Sequence, residues 1–152
     1  MKLQIKKTTN LFGEIKVSGS KNASLPILTV ALLTNETVYL QNVPNILDVE
    51  YMIELLTLCG VRVKRNKQTN EVILKRKRIK SIIKSPYLNQ IRASYYLMGA
   101  LFTEKRTIKT KIPGGCDFEK RPIDYHLDAF KQMGAIIKET NHDILIKRKI
   151  KK

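Results

Sequence analysis

Apolar residues recur along the first part of this chain at strand-like and then helix-like spacings. Residues 3–6 and 14–17 alternate apolar and polar side chains on either side of Gly13, which predicts a hairpin of two strands. A mostly apolar run over residues 21–33 is long enough for a helix, and residues 37–41 alternate as a short strand does. The chain therefore begins with strands and continues as helix and strand.

A second helix is predicted before Gly60, where apolar residues fall at i, i+3, i+4, i+7 and i+10. Asp48 is a candidate N-cap for this helix, and Gly60 is a candidate C-terminal stop. Residues 61–64 and 71–74 then form a predicted strand pair around a polar turn. The periodic apolar residues, which we expect to be buried, are Val49, Met52, Ile53, Leu56 and Cys59.

The same order of elements returns in the second half of the chain, which indicates an internal repeat. Ser94 and Thr107 lie 70 residues after Ser24 and Thr37, whereas Gly134 lies 74 residues after Gly60. We assign repeat one to residues 18–77 and repeat two to residues 86–148, together forming a partial domain over 18–152. Each repeat is helix, strand, helix, strand, strand, so the predicted fold class is α/β (α+β), with helices covering one side of a sheet.

Composition narrows the class of protein further. The chain has 152 residues, of which 43% are hydrophobic and 28% charged, as in a globular domain. Two cysteines are too few for a disulfide framework, and no leader pattern or membrane-length apolar run is present in the sequence. We expect a cytoplasmic protein that does not enter a membrane.

The net charge of +16 suits an anionic partner. Three classes of partner fit this charge: a nucleic acid, an anionic membrane surface and a phosphorylated small molecule. Basic residues cluster over residues 75–78 and 147–152. Neither cluster has the interleaved aromatic residues of a stacking platform, so nucleic acid is the less favoured partner.

The glycine-rich stretch over residues 112–126 carries the most reactive side chain of the sequence. Pro113, Gly114 and Gly115 predict an exposed turn that presents Cys116, and Pro122 suits the first turn of a following helix. A helix N-terminus and Arg121 would lower the pKa of the thiol, whereas the adjacent Asp117 and Glu119 would raise it. From the residues alone, Cys116 is either a functional thiol or an ordinary loop cysteine.

Three further sites have both a functional and a structural interpretation. Lys21 and Asn22 open a helix after Ser18-Gly19-Ser20, which is either a phosphate site or a solvated helix start. Arg92 lies among apolar residues of a predicted helix over 88–102, where its guanidinium either extends to solvent or points at a ligand. Neither His126 nor His142 belongs to a metal-binding pattern, so we expect no metal and no cofactor.

Taken together, five motifs resemble the amino-terminal part of the UDP-N-acetylglucosamine enolpyruvyl transferase (1-carboxyvinyltransferase) family. The resemblance covers nearly the whole chain in order, and it implies a fold of the incomplete inside-out α/β barrel type. The related 5-enolpyruvylshikimate-3-phosphate synthases share the repeats but lack the Pro-Gly-Gly-Cys loop. The five motifs are Gly19-Ser20-Lys21-Asn22-Ala23, Asn42-Val43-Pro44, Ile91-Arg92-Ala93-Ser94, Pro113-Gly114-Gly115-Cys116 and Arg121-Pro122-Ile123-Asp124-Tyr125-His126.

The resemblance implies transfer of the enolpyruvyl group from phosphoenolpyruvate to the 3-hydroxyl of UDP-N-acetylglucosamine. This reaction belongs to peptidoglycan precursor synthesis, and hence to cell wall biogenesis, cell shape and cell division. By resemblance Cys116 is the catalytic proton donor that also forms a covalent adduct, and Lys21 and Asn22 bind phosphoenolpyruvate. The residues implied in binding UDP-N-acetylglucosamine are Arg92, Arg121, Pro122, Ile123, Asp124 and Tyr125.

Two departures from the family pattern bear on activity. Glu119 stands where family members carry glycine, which places a carboxylate near the thiol. The family's enzyme also has two domains of three repeats each, whereas two repeats are recognised here. We therefore expect residues 1–17 to be strands that pack on a second domain, and the isolated chain to be inactive unless a separately encoded second half complements it. The alternatives are a basic nucleic-acid-binding module and a non-catalytic remnant.

Overall fold

A computed structural model describes residues 2–80, 83–105, 107–112, 122–140 and 143–148 of the chain. Three short 3-10 helices in these ranges cover Val30–Leu32, Pro86–Asn89 and Arg92–Tyr95. The longer elements are α1 (Lys21–Thr29), β1 (Thr37–Leu40), α2 (Leu47–Cys59), β2 (Val61–Asn66), β3 (Glu71–Arg76), α3 (Tyr96–Glu104), β4 (Thr107–Lys111), α4 (Asp124–Gln132), β5 (Ala135–Glu139) and β6 (Asp143–Arg148).

The two halves of the chain build sheets of identical topology. The first sheet has the order β1-β3-β2 and the second has the order β4-β6-β5, with neighbouring strands antiparallel. Each half of the chain follows the predicted order of helix, strand, helix and two strands. The α+β fold class is therefore confirmed, and the described strands form two separate sheets rather than a closed barrel.

One apolar core runs through both repeats. An ion pair between Arg76 of β3 and Glu104 of α3, with 2.8 Å between nitrogen and oxygen, joins the repeats at the edge of this core. Because the buried side chains of both halves belong to one apolar cluster, neither half has a separate core. The largest fully buried side chains are Leu28, Leu32, Met52, Leu55, Leu56, Leu74, Leu88, Leu97, Met98, Leu101, Ile108 and Ile144.

Helix α2 confirms the periodic pattern. Val49, Met52, Leu56 and Cys59 are each 0% exposed, and Ile53 packs against the core while partly exposed. Gly60 ends the helix with φ of +100°, and a Cβ at this position would lie 2.2 Å from the carbonyl oxygen of Arg78. Glycine is required there both for the left-handed backbone and for the close approach.

Two predicted helix boundaries are wrong. Ile46 precedes α2 as its N-cap residue, so Asp48 lies inside the first turn, where its charge still favours the helix N-terminus. The helix predicted over residues 88–102 is divided into two 3-10 helices and α3, because Ile91 has extended backbone angles. The buried hydroxyl of Ser94 stabilises this break by donating to the carbonyl oxygen of Leu88 at 2.6 Å.

The hairpin predicted over residues 3–17 is absent, since residues 2–17 form neither strand nor helix in the structure. Their large apolar side chains are at least 78% exposed, so no burial stabilises pairing between the two segments. An isolated two-stranded hairpin is marginal in water, which gives a physical reason for the missed prediction. The exposed side chains are Leu3, Ile5, Leu11, Phe12, Ile15 and Val17.

Within the described ranges, no helix combines the length and the apolar character that crossing a membrane requires.

Candidate functional site

The structure brings Arg92 and Pro122 together from two separate elements. Arg92 begins the 3-10 helix that leads into α3, and Pro122 lies two residues before α4. Nη2 of Arg92 donates a hydrogen bond to the carbonyl oxygen of Pro122 at 2.9 Å, across 30 residues of sequence. Two of the predicted nucleotide-sugar residues therefore share one surface.

The side chains around the start of α4 divide between core and solvent. Ile123 is the N-cap residue and is 8% exposed, so its side chain belongs to the core and only its backbone faces outward. Asp124 occupies the first turn, and Tyr125 is 89% exposed. Pro122 precedes the N-cap, so the prediction that it lies in the first turn is wrong. The outward groups here are the Tyr125 ring, the Asp124 carboxylate and backbone polar groups.

An aromatic cluster adjoins the contact between Arg92 and Pro122. The Tyr95 ring centroid lies 4.6 Å from that of Tyr96 and 4.4 Å from that of His126. Burial raises the pKa of Tyr95, as do a hydrogen bond and the charge interaction with Tyr96, whereas Arg92 acts in the opposite direction. The sequence analysis predicted a single helix over residues 88–102 and did not predict the contact between Tyr95 and His126.

Lys21 and Asn22 open α1, as predicted, and both are exposed. Ser20 caps the helix by accepting a hydrogen bond from the backbone N–H of Ala23 at 3.3 Å. Nζ of Lys21 lies 3.7 Å from Oδ2 of Asp48 in the first turn of α2. Two helix starts therefore meet at this position, with a cation and a carboxylate between them.

Gly19 fixes how the chain enters α1. A Cβ at residue 19 would lie 1.7 Å from the carbonyl oxygen of Asn42 and 3.1 Å from Cδ of Pro44. Arg65, whose side chain is 8% exposed, holds the same segment, because its Nη2 donates to the carbonyl oxygen of Pro44 at 3.0 Å. The backbone before Lys21 is thus packed directly against the segment that leads into α2.

The predicted catalytic thiol lies outside the described residues. Residues 113–121, which include Cys116, Glu119 and Arg121, are not described, and neither is His142. Their predicted roles therefore remain predictions. Among the described residues, no group of three or more His, Cys, Asp or Glu side chains is arranged to hold a metal ion.

A cationic cleft that was not predicted from the sequence lies at the outer edge of β4. The backbone N–H of Ile83 donates to the carbonyl oxygen of Lys109 at 3.3 Å, and a cleft of about 470 Å³ opens beside this contact. Nζ of Lys109 is paired with Oδ2 of Asp143 at 3.3 Å. The remaining lining residues are Lys84, Ser85, Pro86, Thr110 and Lys111.

Comparison with known proteins gives a consistent family assignment. Residues 5–152 match the family described as EPSP synthase (3-phosphoshikimate 1-carboxyvinyltransferase). A UDP-N-acetylglucosamine 1-carboxyvinyltransferase of Elusimicrobium minutum is 40% identical over 142 residues, which cover 93% of this chain and 33% of the relative. The protein of the same name from Buchnera aphidicola subsp. Baizongia pistaciae is 43% identical, over 90% of this chain and 32% of the relative.

The chain thus spans about a third of the length of the curated relatives it matches, and that third is their amino-terminal part, as the motifs predicted. Among solved structures, the enolpyruvyl transferase NikO from Streptomyces tendae superposes with a TM-score of 0.75 at 16% identity. That match covers 91% of this chain and 30% of the other, and at this identity it establishes the fold alone.

Proposed function

The chain belongs to the EPSP synthase (3-phosphoshikimate 1-carboxyvinyltransferase) family, and from this membership we propose that it forms part of an enolpyruvyl transferase for peptidoglycan precursor synthesis. The proposed reaction moves the enolpyruvyl group of phosphoenolpyruvate to the 3-hydroxyl of UDP-N-acetylglucosamine. Support for this acceptor comes from the curated relatives, which are named for UDP-N-acetylglucosamine.

The hydrogen bond between Arg92 and Pro122 is the observation that carries the proposal. It joins the two predicted parts of the nucleotide-sugar site, although the sequence separates them by 30 residues. A guanidinium offers several donors to phosphate oxygens, so Arg92 beside the exposed start of α4 suits a diphosphate. We assign UDP-N-acetylglucosamine binding to Arg92 and Arg121, with the stretch 122–125 beside them.

Phosphoenolpyruvate is assigned to Lys21 and Asn22 at the start of α1. Unpaired backbone N–H groups and the helix dipole favour an anion at such a position, and the Lys21 ammonium adds a full charge. Asp48 lies 3.7 Å from that ammonium and holds it at the helix start when no substrate is present. A phosphate would compete with this exposed carboxylate at little cost, because exposed ion pairs contribute about 0–1 kcal/mol.

Cys116 is the proposed proton donor and nucleophile. Protonation of the methylene carbon of phosphoenolpyruvate needs an acid whose pKa lies near the working pH, and a thiol with a modestly lowered pKa meets that requirement. Arg121 and the following helix start would supply the lowering, against the effect of Asp117 and Glu119.

The groups needed for turnover extend beyond this third of the enzyme. A base for the sugar hydroxyl and closure over the substrates are assigned to a second part, which corresponds to the remaining two thirds of the relatives. Six exposed apolar side chains in residues 2–17 support a packing surface for that part. The proposal places residues 1–17 against it, with both parts acting as one cytoplasmic enzyme.

Nucleic-acid binding is the alternative function, and structural contacts of the basic cluster weigh against it. Within residues 75–78, Nζ of Lys75 donates to the carbonyl oxygen of Asn35 at 2.8 Å. Arg76 pairs with Glu104 and donates to the carbonyl oxygen of Leu32 at 2.9 Å. Half of this cluster is therefore engaged within the fold.

Titration of the 15N-labelled chain with UDP-N-acetylglucosamine tests the proposal. We expect chemical-shift changes at the amides of residues 123–126 and at Nε of Arg92, and smaller changes with UDP-glucose than with UDP-N-acetylglucosamine. The alternative, nucleic-acid binding, would replace this function if UDP-N-acetylglucosamine caused no chemical-shift change and the chain bound RNA with an affinity that falls steeply with salt.

A further inference from the structure

Tyr95 and His126 form an aromatic contact between the two elements that carry the proposed nucleotide-sugar residues. Their ring centroids are 4.4 Å apart with an interplanar angle of 54°, a tilted geometry that aromatic side chains favour. Tyr95 ends the 3-10 helix that begins with Arg92, and His126 lies in the first turn of α4. The contact therefore lies beside the hydrogen bond between Arg92 and Pro122.

Tyr95 also contacts Arg92 directly. In a 3-10 helix, side chains three residues apart lie on the same face, and Cζ of Arg92 is 6.0 Å from the Tyr95 ring centroid. At this separation a guanidinium is attracted to an aromatic ring. The ring therefore restricts the directions that the Arg92 side chain takes.

His126 connects the same ring to the start of α4. Its backbone N–H donates to the carbonyl oxygen of Ile123 at 2.9 Å, which closes the first turn immediately after Pro122. The other ends of α3 and α4 are held by Phe102 and Phe130, whose ring centroids are 5.0 Å apart. Removing the Tyr95 ring would thus loosen one end of the helix pair and leave the other end packed.

We propose that Tyr95 is a positioning residue, which holds the Arg92 guanidinium and the first turn of α4 in the arrangement that receives the diphosphate of a nucleotide sugar. The inference rests on the proposed function for its ligand. An arginine side chain loses much rotamer entropy when it is immobilised, so a guanidinium already fixed against a ring binds phosphate with a smaller loss. Tyr95 would therefore strengthen binding without touching the ligand.

Three variants at residue 95 separate the ring from the hydroxyl and from simple bulk. Tyr95→Phe keeps the ring and removes the hydroxyl that interacts with Tyr96. Tyr95→Leu keeps apolar volume without an aromatic face, and Tyr95→Ala removes both. Phe130→Leu is the matched control, because it removes an aromatic contact from the far end of the same helix pair.

Two measurements are made on each variant of the full chain, 15N relaxation of the Arg92 Nε–Hε group and affinity for UDP-N-acetylglucosamine by calorimetry. We expect Tyr95→Leu and Tyr95→Ala to increase Arg92 side-chain motion and to weaken binding roughly three- to tenfold, the size of one cation–π contact. Tyr95→Phe should retain an ordered Arg92 and bind within about twofold of the wild type. Phe130→Leu should lower the melting temperature but leave both readouts unchanged.

The outcomes separate this inference from the function on which it rests. If Tyr95→Leu is folded and leaves Arg92 motion and affinity unchanged, the positioning role is wrong. If the wild type does not bind UDP-N-acetylglucosamine, the proposed function fails, and unchanged Arg92 motion in Tyr95→Leu would overturn the positioning role as well. Should Tyr95→Ala fail to fold, Tyr95→Leu decides the question by the same two readouts.

Discussion

Arg92 donates from Nη2 to the carbonyl oxygen of Pro122 at 2.9 Å, and this contact joins the 3-10 helix before α3 to the start of α4. We propose that Arg92 also donates to a phosphate of the nucleotide sugar. A hydrogen bond to a charged group contributes about 1.5–3 kcal/mol, which corresponds to roughly ten- to hundredfold in affinity. Arg92→Ala should therefore weaken UDP-N-acetylglucosamine binding by that factor, as measured by calorimetry.

Arg148→Ala is the matched control for this change, because Nη1 of Arg148 also donates to a backbone carbonyl, that of Thr103 at 3.2 Å. It removes the same charge from the chain and should leave the affinity within about twofold. Equal losses for the two variants would mean that the nucleotide sugar responds to net charge rather than to this site.

Lys21 should contribute to phosphoenolpyruvate binding through its charge. Lys21→Ala is expected to weaken that binding about tenfold or more, measured by the change in melting temperature with phosphoenolpyruvate concentration. Lys131→Ala serves as the control, since Lys131 is likewise exposed and likewise paired with a carboxylate, that of Asp128 at 3.0 Å. If both variants lose the same amount, the assignment of the phosphate to the start of α1 is wrong.

Gly19 and Gly99 should respond oppositely to alanine. A Cβ at residue 19 would overlap the carbonyl oxygen of Asn42, so Gly19→Ala should lower the free energy of unfolding by about 1–3 kcal/mol or more. A Cβ at residue 99 meets nothing within 4 Å inside α3, so Gly99→Ala should raise it by about 0.5–1 kcal/mol. Urea unfolding of both variants measures the difference, and a neutral Gly19→Ala would contradict the packing of residue 19 against residue 42.

Because the Cys59 thiol is buried, we expect the free energy of unfolding to fall at alkaline pH. Burial raises the pKa of its thiol to about 12 from the model-compound value of 9.0, so the folded chain retains a proton that the unfolded chain releases. The contribution is fully present below pH 9 and is lost as the pH rises towards 12, by up to about 4 kcal/mol.

The comparison that isolates this effect is Cys59→Ala. The difference in unfolding free energy between wild type and variant should shrink from pH 9 to pH 12, because only the wild type has a buried thiol at residue 59 to deprotonate, whereas Cys116 is present in both chains. A difference that stays constant over this range would mean that the thiol is accessible to water in the folded chain.

The sequence predicted most reliably those features that neighbouring residues determine. The period of the apolar residues placed Cys59 in the core, and Gly60 marked the end of α2. The alternation in residues 3–17 was equally regular but produced no strands, because the stability of a strand depends on a partner elsewhere. Local pattern thus sufficed for helix α2 and failed for the amino-terminal segment.

The candidate site was only partly predictable for a related reason. The motif resemblance named Arg92 and the stretch around Pro122, and the structure then brought these two together. The contact between Tyr95 and His126 was not predicted, because a contact between residues so far apart in the chain leaves no periodic pattern in a single sequence.

The most direct test of the account is phosphate release from phosphoenolpyruvate in the presence of UDP-N-acetylglucosamine. It is measured with this chain alone, and with the remaining two thirds of the Elusimicrobium minutum relative supplied in trans. We predict no release from the chain alone, release from the mixture, and a return to background when the mixture contains Cys116→Ser. Release from the chain alone, undiminished release with Cys116→Ser, or no release from a mixture in which the two parts associate would contradict the account.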